Sequence, residues 1–427
     1  MPDSLREALR CFTVLVCTLA VACSDAAESG PITSREVVGD TTIVRIAGES
    51  TEVHAQPELV IGALDGADEY TFGEINGMAV SDDGSIYVLD GQALVIRVYS
   101  PDGDHVRTFG RSGGGPGELS RPSGMLFLGD SSLVVRDGGN ARMTVYTPEG
   151  ETLTTWPIPG GYITSAPIFT DSDANVYTDV IASQSSNGTW STGLMRLNSA
   201  GETVDTLYRP FKDYEAPSLR AERVSGNNHS ISIDGVPFWP QASTTLNRRG
   251  EFVGGIADRY VVHTWRRDGT VLRIERQVEP TPVAQAEAAA ARERVTRGMR
   301  ELDSNWSWDG PEIPTTKPAF RSITVGEDDR IWVRVSRPGA RQPPDEDAEP
   351  DADGRPPVDS WVEPAVYDIY ESTGDHVATV RFPERFRPMV LRGPHAWGVL
   401  RDEYDVEYVA RLNVLPDTPA NTDARDG

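Results

Sequence analysis

A repeat of about 50 residues organises this chain and restricts its possible folds more than any other feature. The segment Ile86–Gly91 is matched by Leu133–Gly138, and each is followed by a second β-rich run ending in a Pro-acidic-Gly turn. The turn glycines are Gly103, Gly150 and Gly201. Further copies lie at 175–179 with 194–201, at 261–269, and at 331–333 with 366–374. The chain therefore contains five related internal units.

Each unit consists of alternating β-rich runs separated by tight polar turns such as Asp82-Asp83-Gly84. Aspartate and glycine favour hairpin turns, so each unit is predicted to form a small antiparallel sheet. A helical solenoid with this period would need helical periodicity in every unit, which the sequence lacks. Units of 40 to 50 residues that are mostly β are typical of propeller blades. The predicted fold is an all-β propeller with four-stranded antiparallel blades.

The two ends of the chain are predicted to share one blade. The apolar run 59–62 precedes the first unit in the way that Thr108-Phe109-Gly110 precedes the second. It therefore resembles an outermost strand without the rest of its blade. Three strand-like runs near the C-terminus, at 389–391, 396–400 and 408–415, would supply that blade. Such closure removes the open sheet edges and gives six blades over residues 57–415.

Two segments interrupt the repeat. Residues 282–302 are rich in alanine, glutamate and arginine and predict a helix. Residues 338–357 are acidic and proline-rich and are expected to be a disordered insertion, as is the tail 416–427. A calcium loop ending at Gly354 is the alternative for the acidic insertion, but Ser360 stands where the closing glutamate would be needed.

The N-terminus has the features of an export signal. Residues 1–22 combine two arginines with a short uncharged apolar run, too short to span a bilayer. The run ends in small residues before Cys23 and resembles a bacterial lipobox, in which the cysteine is acylated and becomes the first residue. Ala20 departs from the leucine usual at that position, and an ordinary cleaved signal peptide is the alternative. Residues 23–56 are expected to form an anchor and linker.

Cysteine usage and charge exclude several classes of function. All three cysteines lie at or before Cys23, so a disulfide, a catalytic thiol or a cysteine-ligated metal site is not expected in the mature domain. The net charge of −25 repels phosphate backbones, so nucleic acid is not an expected partner.

Two sequence segments resemble a known family. Residues 135–146 resemble an NHL-type propeller repeat, and residues 109–118 resemble the inter-blade loop of bacterial 6-bladed β-propeller lipoproteins. The resemblance covers roughly residues 57–415, is strongest over 72–158 and faint beyond 205. It implies the fold and an envelope location. Related propellers include both binding modules and lyases or hydrolases, so the resemblance does not choose between them.

Carboxylates at the ends of second strands are the main candidates for site chemistry. Asp90, Asp137 and Asp179 occupy this position in successive blades. Propeller lactonases bind calcium from such positions, so the resemblance allows a site formed by Asp90, Asp137 and Asn140, with Glu118. The competing interpretation is that each aspartate caps its own turn, and its recurrence favours that structural role. Neither a phosphate loop, a histidine metal site nor a serine nucleophile motif is indicated.

These observations predict an exported, lipid-anchored scaffold at the cell envelope, without a cofactor, that binds a small ligand or an envelope protein. The binding face would be built from inter-blade loops, whereas Asp102 and Glu149 would lie on the opposite face. The alternative is a calcium-dependent lactonase- or lyase-like enzyme. The residues expected on the binding face are Asp90, Gln92, Glu118, Asp137, Asn140 and Arg142.

Overall fold

The structure of the protein is a computed structural model. It describes residues 31–129, 131–159, 167–184, 190–226, 228–344, 354 and 356–415. The expected signal peptide, Cys23, the tail 416–427 and residues 345–353 of the acidic insertion lie outside the described residues.

Six blades of four antiparallel strands each form a ring, which confirms the predicted six-bladed propeller. In each blade the strands follow one another from the central channel outward. Blade one comprises β5 Ile75–Val80, β6 Ile86–Asp90, β7 Val95–Tyr99 and β8 His105–Phe109. Blade two comprises β11 Pro122–Leu128, β12 Ser132–Asp137, β13 Arg142–Tyr146 and β14 Thr152–Pro157. Blade three comprises β15 Ile168–Thr170, β16 Val176–Gln184, β17 Trp190–Leu197 and β18 Thr203–Leu207.

The ring is completed by three further blades, the last of which joins the two ends of the described chain. Blade four comprises β21 Ala242–Leu246, β22 Phe252–Ile256, β23 Val261–Trp265 and β24 Val271–Arg276. Blade five comprises β25 Phe320–Val325, β26 Ile331–Val335, β29 Val366–Tyr370 and β30 His376–Arg381. Blade six comprises β31 Phe386–Arg392, β32 His395–Arg401, β33 Glu407–Asn413 and, as its outermost strand, β4 Gln56–Ile61. The predicted closure by the N-terminal strand is confirmed, because β4 pairs antiparallel with β33.

The core lies between the blades rather than in the channel. In β6 all five side chains are buried because a neighbouring blade covers each face of the sheet. Ile86 and Val88 pack against Trp397 of blade six, whereas Tyr87 and Leu89 pack on the side of blade two. The second strands are therefore continuous runs of β-branched and aromatic residues and do not alternate between apolar and polar residues.

The segment expected to be a linker, 23–56, contains three strands from residue 32 onward. Strands β1 Ile32–Val38 and β2 Thr41–Ala47 extend blade four, with β2 parallel to β24, and β3 Glu52–His54 extends blade five. The physical reason is that Val44 and Ile46 are apolar and bury themselves between these two blades. This alternation of apolar and polar residues is a strand pattern.

An accessory layer covers one side of the ring. The predicted helix is present as α1 Gln285–Leu302. It packs on a hairpin of β19 Ser218–Ser225 and β20 Asn228–Gly235, which has no counterpart in the sequence repeat. Leu219, Val295, Met299 and Trp306 form their shared core. At the start of the acidic insertion, β27 Ala340–Gln342 forms a strand that pairs with β28 Ser360–Val362, just after the insertion. The remaining short pair, β9 Arg111–Ser112 and β10 Glu118–Leu119, belongs to the first inter-blade loop.

Candidate functional site

Asp90 is fully buried, and its carboxylate is hydrogen-bonded within the turn that follows β6. Its carboxylate accepts hydrogen bonds from the amides of Gly73, Gln92 and Ala93 at 2.8–3.1 Å, and from Arg97 at 2.6 Å. Burial opposes ionisation, but these donors outweigh it and hold the pKa of Asp90 below its ordinary value. The carboxylate caps a turn, as the structural interpretation of the sequence proposed.

Asp137 in blade two is also fully buried, but its carboxylate binds amides of the preceding inter-blade loop and does not cap its own turn. Its oxygens accept from the amide of Arg121 at 2.9 Å, from the amide of Ser120 at 3.2 Å and from Asn140 at 2.7 Å. Asn140 also donates to the carbonyl of Gly113 at 2.9 Å. Aspartate and asparagine thus tie the turn after β12 to the preceding inter-blade loop.

The glycine-rich loop 113–118 is held by the remaining predicted site residues. Arg142 donates to the carbonyls of Gly114, Gly115 and Glu118 at 2.5–3.1 Å. The Glu118 carboxylate accepts from the amide of Gly115 at 2.6 Å and from Arg111 at 2.9 Å. These two donors, the amide first, lower the pKa of Glu118. The polar side chains therefore fix the loop conformation from within.

The structure brings Glu118, Asp137, Asn140 and Arg142 together around this loop. Asp90 and Gln92 form a separate cluster, because every donor to Asp90 lies between residues 73 and 97. Glu149 lines the cavity at the other end of the channel, which is the placement expected for it.

The calcium alternative does not fit these residues. Calcium takes six to eight oxygen ligands, whereas the oxygens of Asp90 and Asp137 already accept hydrogen bonds from amides and side chains. Throughout the described ranges, no three histidine, aspartate or glutamate side chains come close enough to hold a metal ion.

The central channel opens into a large cavity at the ends of the inner strands. Residues from all six blades line this funnel, whose volume is about 860 Å³. Its wall includes half-buried apolar side chains. The charged side chains at its rim mostly form ion pairs or hydrogen bonds with neighbouring residues. Arg392 pairs with Glu327 and donates to the carbonyl of Val80 at 2.6 Å, while Arg107 donates to the carbonyl of Pro148 at 3.0 Å. The half-buried apolar residues are Leu126, Phe127, Ile168, Phe169, Val325 and Met389.

A second cavity lies on the opposite face of the ring, where inner strands begin at the inter-blade loops. We call it the inter-blade mouth; its volume is about 560 Å³, and residues of blades six, one and two line it. Two of its side chains, Asn76 and Ser123, sit at β-bulges at the same position in the inner strands β5 and β11. A bulge re-aims a side chain at a rim, which is why bulges occur next to binding sites. The lining residues are Glu74, Ile75, Asn76, Gly91, Arg121, Pro122, Ser123, Arg387, Arg401 and Glu407.

Polar contacts hold this mouth in shape. The buried Glu407 carboxylate accepts from the amide of Ile75 and from Arg401, both at 2.6 Å, and so fixes blade six to blade one. Arg387 donates to the carbonyl of Ile75 at 3.0 Å. The buried guanidinium of Arg136 donates to the Ser123 hydroxyl at 3.1 Å from behind.

Three arginines of the inter-blade mouth were not among the predicted site residues. Arg121 and Arg387 each precede a proline at the start of an inner strand, and Arg401 ends β32. The recurring Arg-Pro pair, Arg121-Pro122 and Arg387-Pro388, is the sequence signal that could have found the first two. It marks the same place in blades two and six.

Comparison with known proteins extends only to the fold. No protein-family model and no curated protein sequence matches this chain. A solved structure of a member of the DUF4221 family from Bacteroides vulgatus is similar, with 10% identity over 86% of this chain and 99% of that one, at a TM-score of 0.50. A candidate exported protein from Bacteroides fragilis has 11% identity over 88% and 100% of the two chains, at a TM-score of 0.46.

A similarity with virginiamycin B lyase from Staphylococcus aureus has 11% identity over 80% of this chain and 95% of the lyase, at a TM-score of 0.39. In the part of the chain that the structure describes, no helix is both long and apolar enough to cross a membrane. The similarity to the DUF4221 structure concerns the fold alone, and the six-bladed β-propeller is established by the strand topology of this chain.

Proposed function

We propose that this protein is an exported propeller of the bacterial 6-bladed lipoprotein type, anchored at the cell envelope through Cys23, and that it binds a small ligand at the inter-blade mouth. The observation that carries the proposal is the mouth itself: a concave cavity of about 560 Å³ with converging polar side chains. Ligand sites are typically concave, with a few placed polar groups.

The alternatives are less well supported by the same contacts. The carboxylates that could have made a calcium enzyme are already bound by backbone amides, Asp90 by its own turn and Asp137 by the preceding inter-blade loop. The loop 113–118, expected to contact a partner, has its carbonyls bound by Arg142 and Asn140. The arginines and Ser123 of the inter-blade mouth are the better binding groups, because they face a cavity.

The proposal is tested by ligand retention. The soluble protein from residue 24 onward is incubated with the small-molecule fraction of the native envelope, washed and denatured, and the released molecules are identified by mass spectrometry. Ser123→Trp places a large side chain in the inter-blade mouth and should abolish retention. Thr324→Trp, a matched change at an exposed funnel residue, should leave retention intact.

The opposite pattern, with retention lost only in Thr324→Trp, would place the ligand in the funnel and contradict the proposed site. Retention of no molecule at all would contradict the binding function. Chemical turnover of the retained molecule that requires added calcium would favour the enzyme.

A further inference from the structure

We propose that the ligand of the inter-blade mouth carries an oxyanionic group, a carboxylate or a phosphate ester, bound by Arg121, Arg387 and Arg401. This inference rests on the proposed binding function and names the chemical class of its ligand. It follows from the balance of hydrogen-bond donors and acceptors in the cavity.

Two of the guanidinium groups have no carboxylate partner among the described residues. Arg121 is exposed and forms no ion pair there, and Arg387 donates only to the carbonyl of Ile75. The chain has 65 acidic and only 40 basic side chains. Arginines without a carboxylate partner beside one cavity therefore make that cavity locally positive in a protein that is negative as a whole. The planar guanidinium group matches carboxylate and phosphate geometry, so these two residues are suited to an oxyanion.

The third guanidinium group is positioned by a buried acid. Arg401 is half-exposed, and Glu407 beneath it is only 4% exposed. Both carboxylate oxygens of Glu407 already accept hydrogen bonds, one from the amide of Ile75 and one from Arg401. Arg401 is thus held at the mouth with further N–H groups to offer.

Ser123 adds a neutral donor. Its oxygen accepts a hydrogen bond from Arg136, which is fully buried, and its own proton is donated to no other described residue. A hydroxyl that accepts from a guanidinium on one side is oriented to donate on the other. The only other carboxylate of the lining, Glu74, is exposed at the rim. The cavity therefore offers mainly donors.

Three hexoses that differ only at carbon 6 provide the test: glucose, glucuronate and glucose 6-phosphate, with binding measured by isothermal titration calorimetry. We expect glucuronate or glucose 6-phosphate, or both, to bind, and glucose not to bind. Arg121→Ser and Arg387→Ser should each weaken anion binding about tenfold through loss of a charge-assisted contact. Arg223→Ser, at an exposed arginine of the accessory hairpin, is the control and should have no effect.

A variant that binds the anion more tightly is also needed, because the weaker binding of the serine variants could otherwise be explained by misfolding. Glu74→Gln removes the rim carboxylate and should tighten anion binding about threefold, an effect that falls at high salt. The inference is overturned if neither anion binds, if glucose binds as well as glucuronate, or if the serine variants bind like the parent protein. A neutral molecule released from the envelope-loaded protein would leave the proposed binding function standing and overturn this inference alone.

Discussion

Buried charged side chains join neighbouring blades, and Asp368 in blade five shows how such a charge is balanced. Its carboxylate pairs with Arg276 of blade four at 2.5 Å and accepts from Tyr260 at 2.7 Å and Thr379 at 2.6 Å. Burial favours the neutral acid, but His376, Arg276, Thr379 and Tyr260 together lower the pKa of Asp368 to about 2. The ionised carboxylate of Asp368 therefore links blade five to blade four.

Asp368→Asn should destabilise the ring strongly. The substitution leaves the Arg276 guanidinium, only 8% exposed, without a counter-charge, which costs about 3–5 kcal/mol of unfolding free energy. Thermal and urea unfolding would measure the loss. Asp375→Asn, at an exposed carboxylate on the same blade, is the control and should change little. Equal stability of the two variants would contradict the prediction.

The same carboxylate predicts a pH dependence. Because the folded pKa of Asp368, about 2, lies below the ordinary value of 3.8, its contribution is fully present above pH 4 and is lost as the pH falls from 4 to 2. The shift corresponds to about 2 kcal/mol. Urea unfolding at several pH values should show this acid loss in the parent protein and a smaller loss in Asp368→Asn.

At single residues the sequence predicted the structural role better than the site. It placed Asp90 and Asp137 at turns and offered capping of their own turns as their role. The amide contacts show this for Asp90, whereas Asp137 binds the preceding inter-blade loop instead. The arginines of the inter-blade mouth come from distant parts of the chain. They meet only because Glu407 and the inner strands join blade six to blade one. A repeat reveals what recurs in every blade, whereas a site is made of residues that differ between blades.

At the scale of elements, β4 carries the closure of the ring. It pairs with β33 over Gln56–Ile61, and Ile61 packs into the core between blades six and one. Deleting residues 24–62 removes β1 to β4, exposes the edges of β24, β30 and β33, and should cause aggregation or a large fall in melting temperature. Deleting residues 345–353, which contain no large apolar side chain, should have little effect. Two equally stable deletion variants would contradict the role of these N-terminal strands, including β4.

Strands inside the repeat were predictable, and those outside it were not. Second strands such as β6 and β26 are β-branched and aromatic because both faces are covered. By contrast, β1 has seven exposed residues and no counterpart in another blade, so only its pairing with β2 makes it a strand. The accessory hairpin likewise depends on α1, which packs on it from a distant part of the sequence.

For the whole molecule, location is the property that the proposed function most needs. If Cys23 is acylated, Cys23→Ala should abolish incorporation of labelled palmitate and leave an unprocessed or soluble protein. The fold should be unaffected, because the described strands begin at Ile32. Circular dichroism of the variant provides that control. Unchanged labelling would contradict the lipid anchor and leave an ordinary signal peptide as the explanation.

The placement of β2, β3 and β4 on blades four, five and six has a consequence for the order of folding. These strands are among the first to be synthesised, yet their partners β24, β30 and β33 come from the later part of the chain. Each of these strands must therefore wait until its partner has been synthesised, and β4 must wait until blade six exists. Until then, edges of these strands are open to wrong partners. Native folding thus finishes only after the chain is complete, and refolding should end in a slow step in which the ring closes.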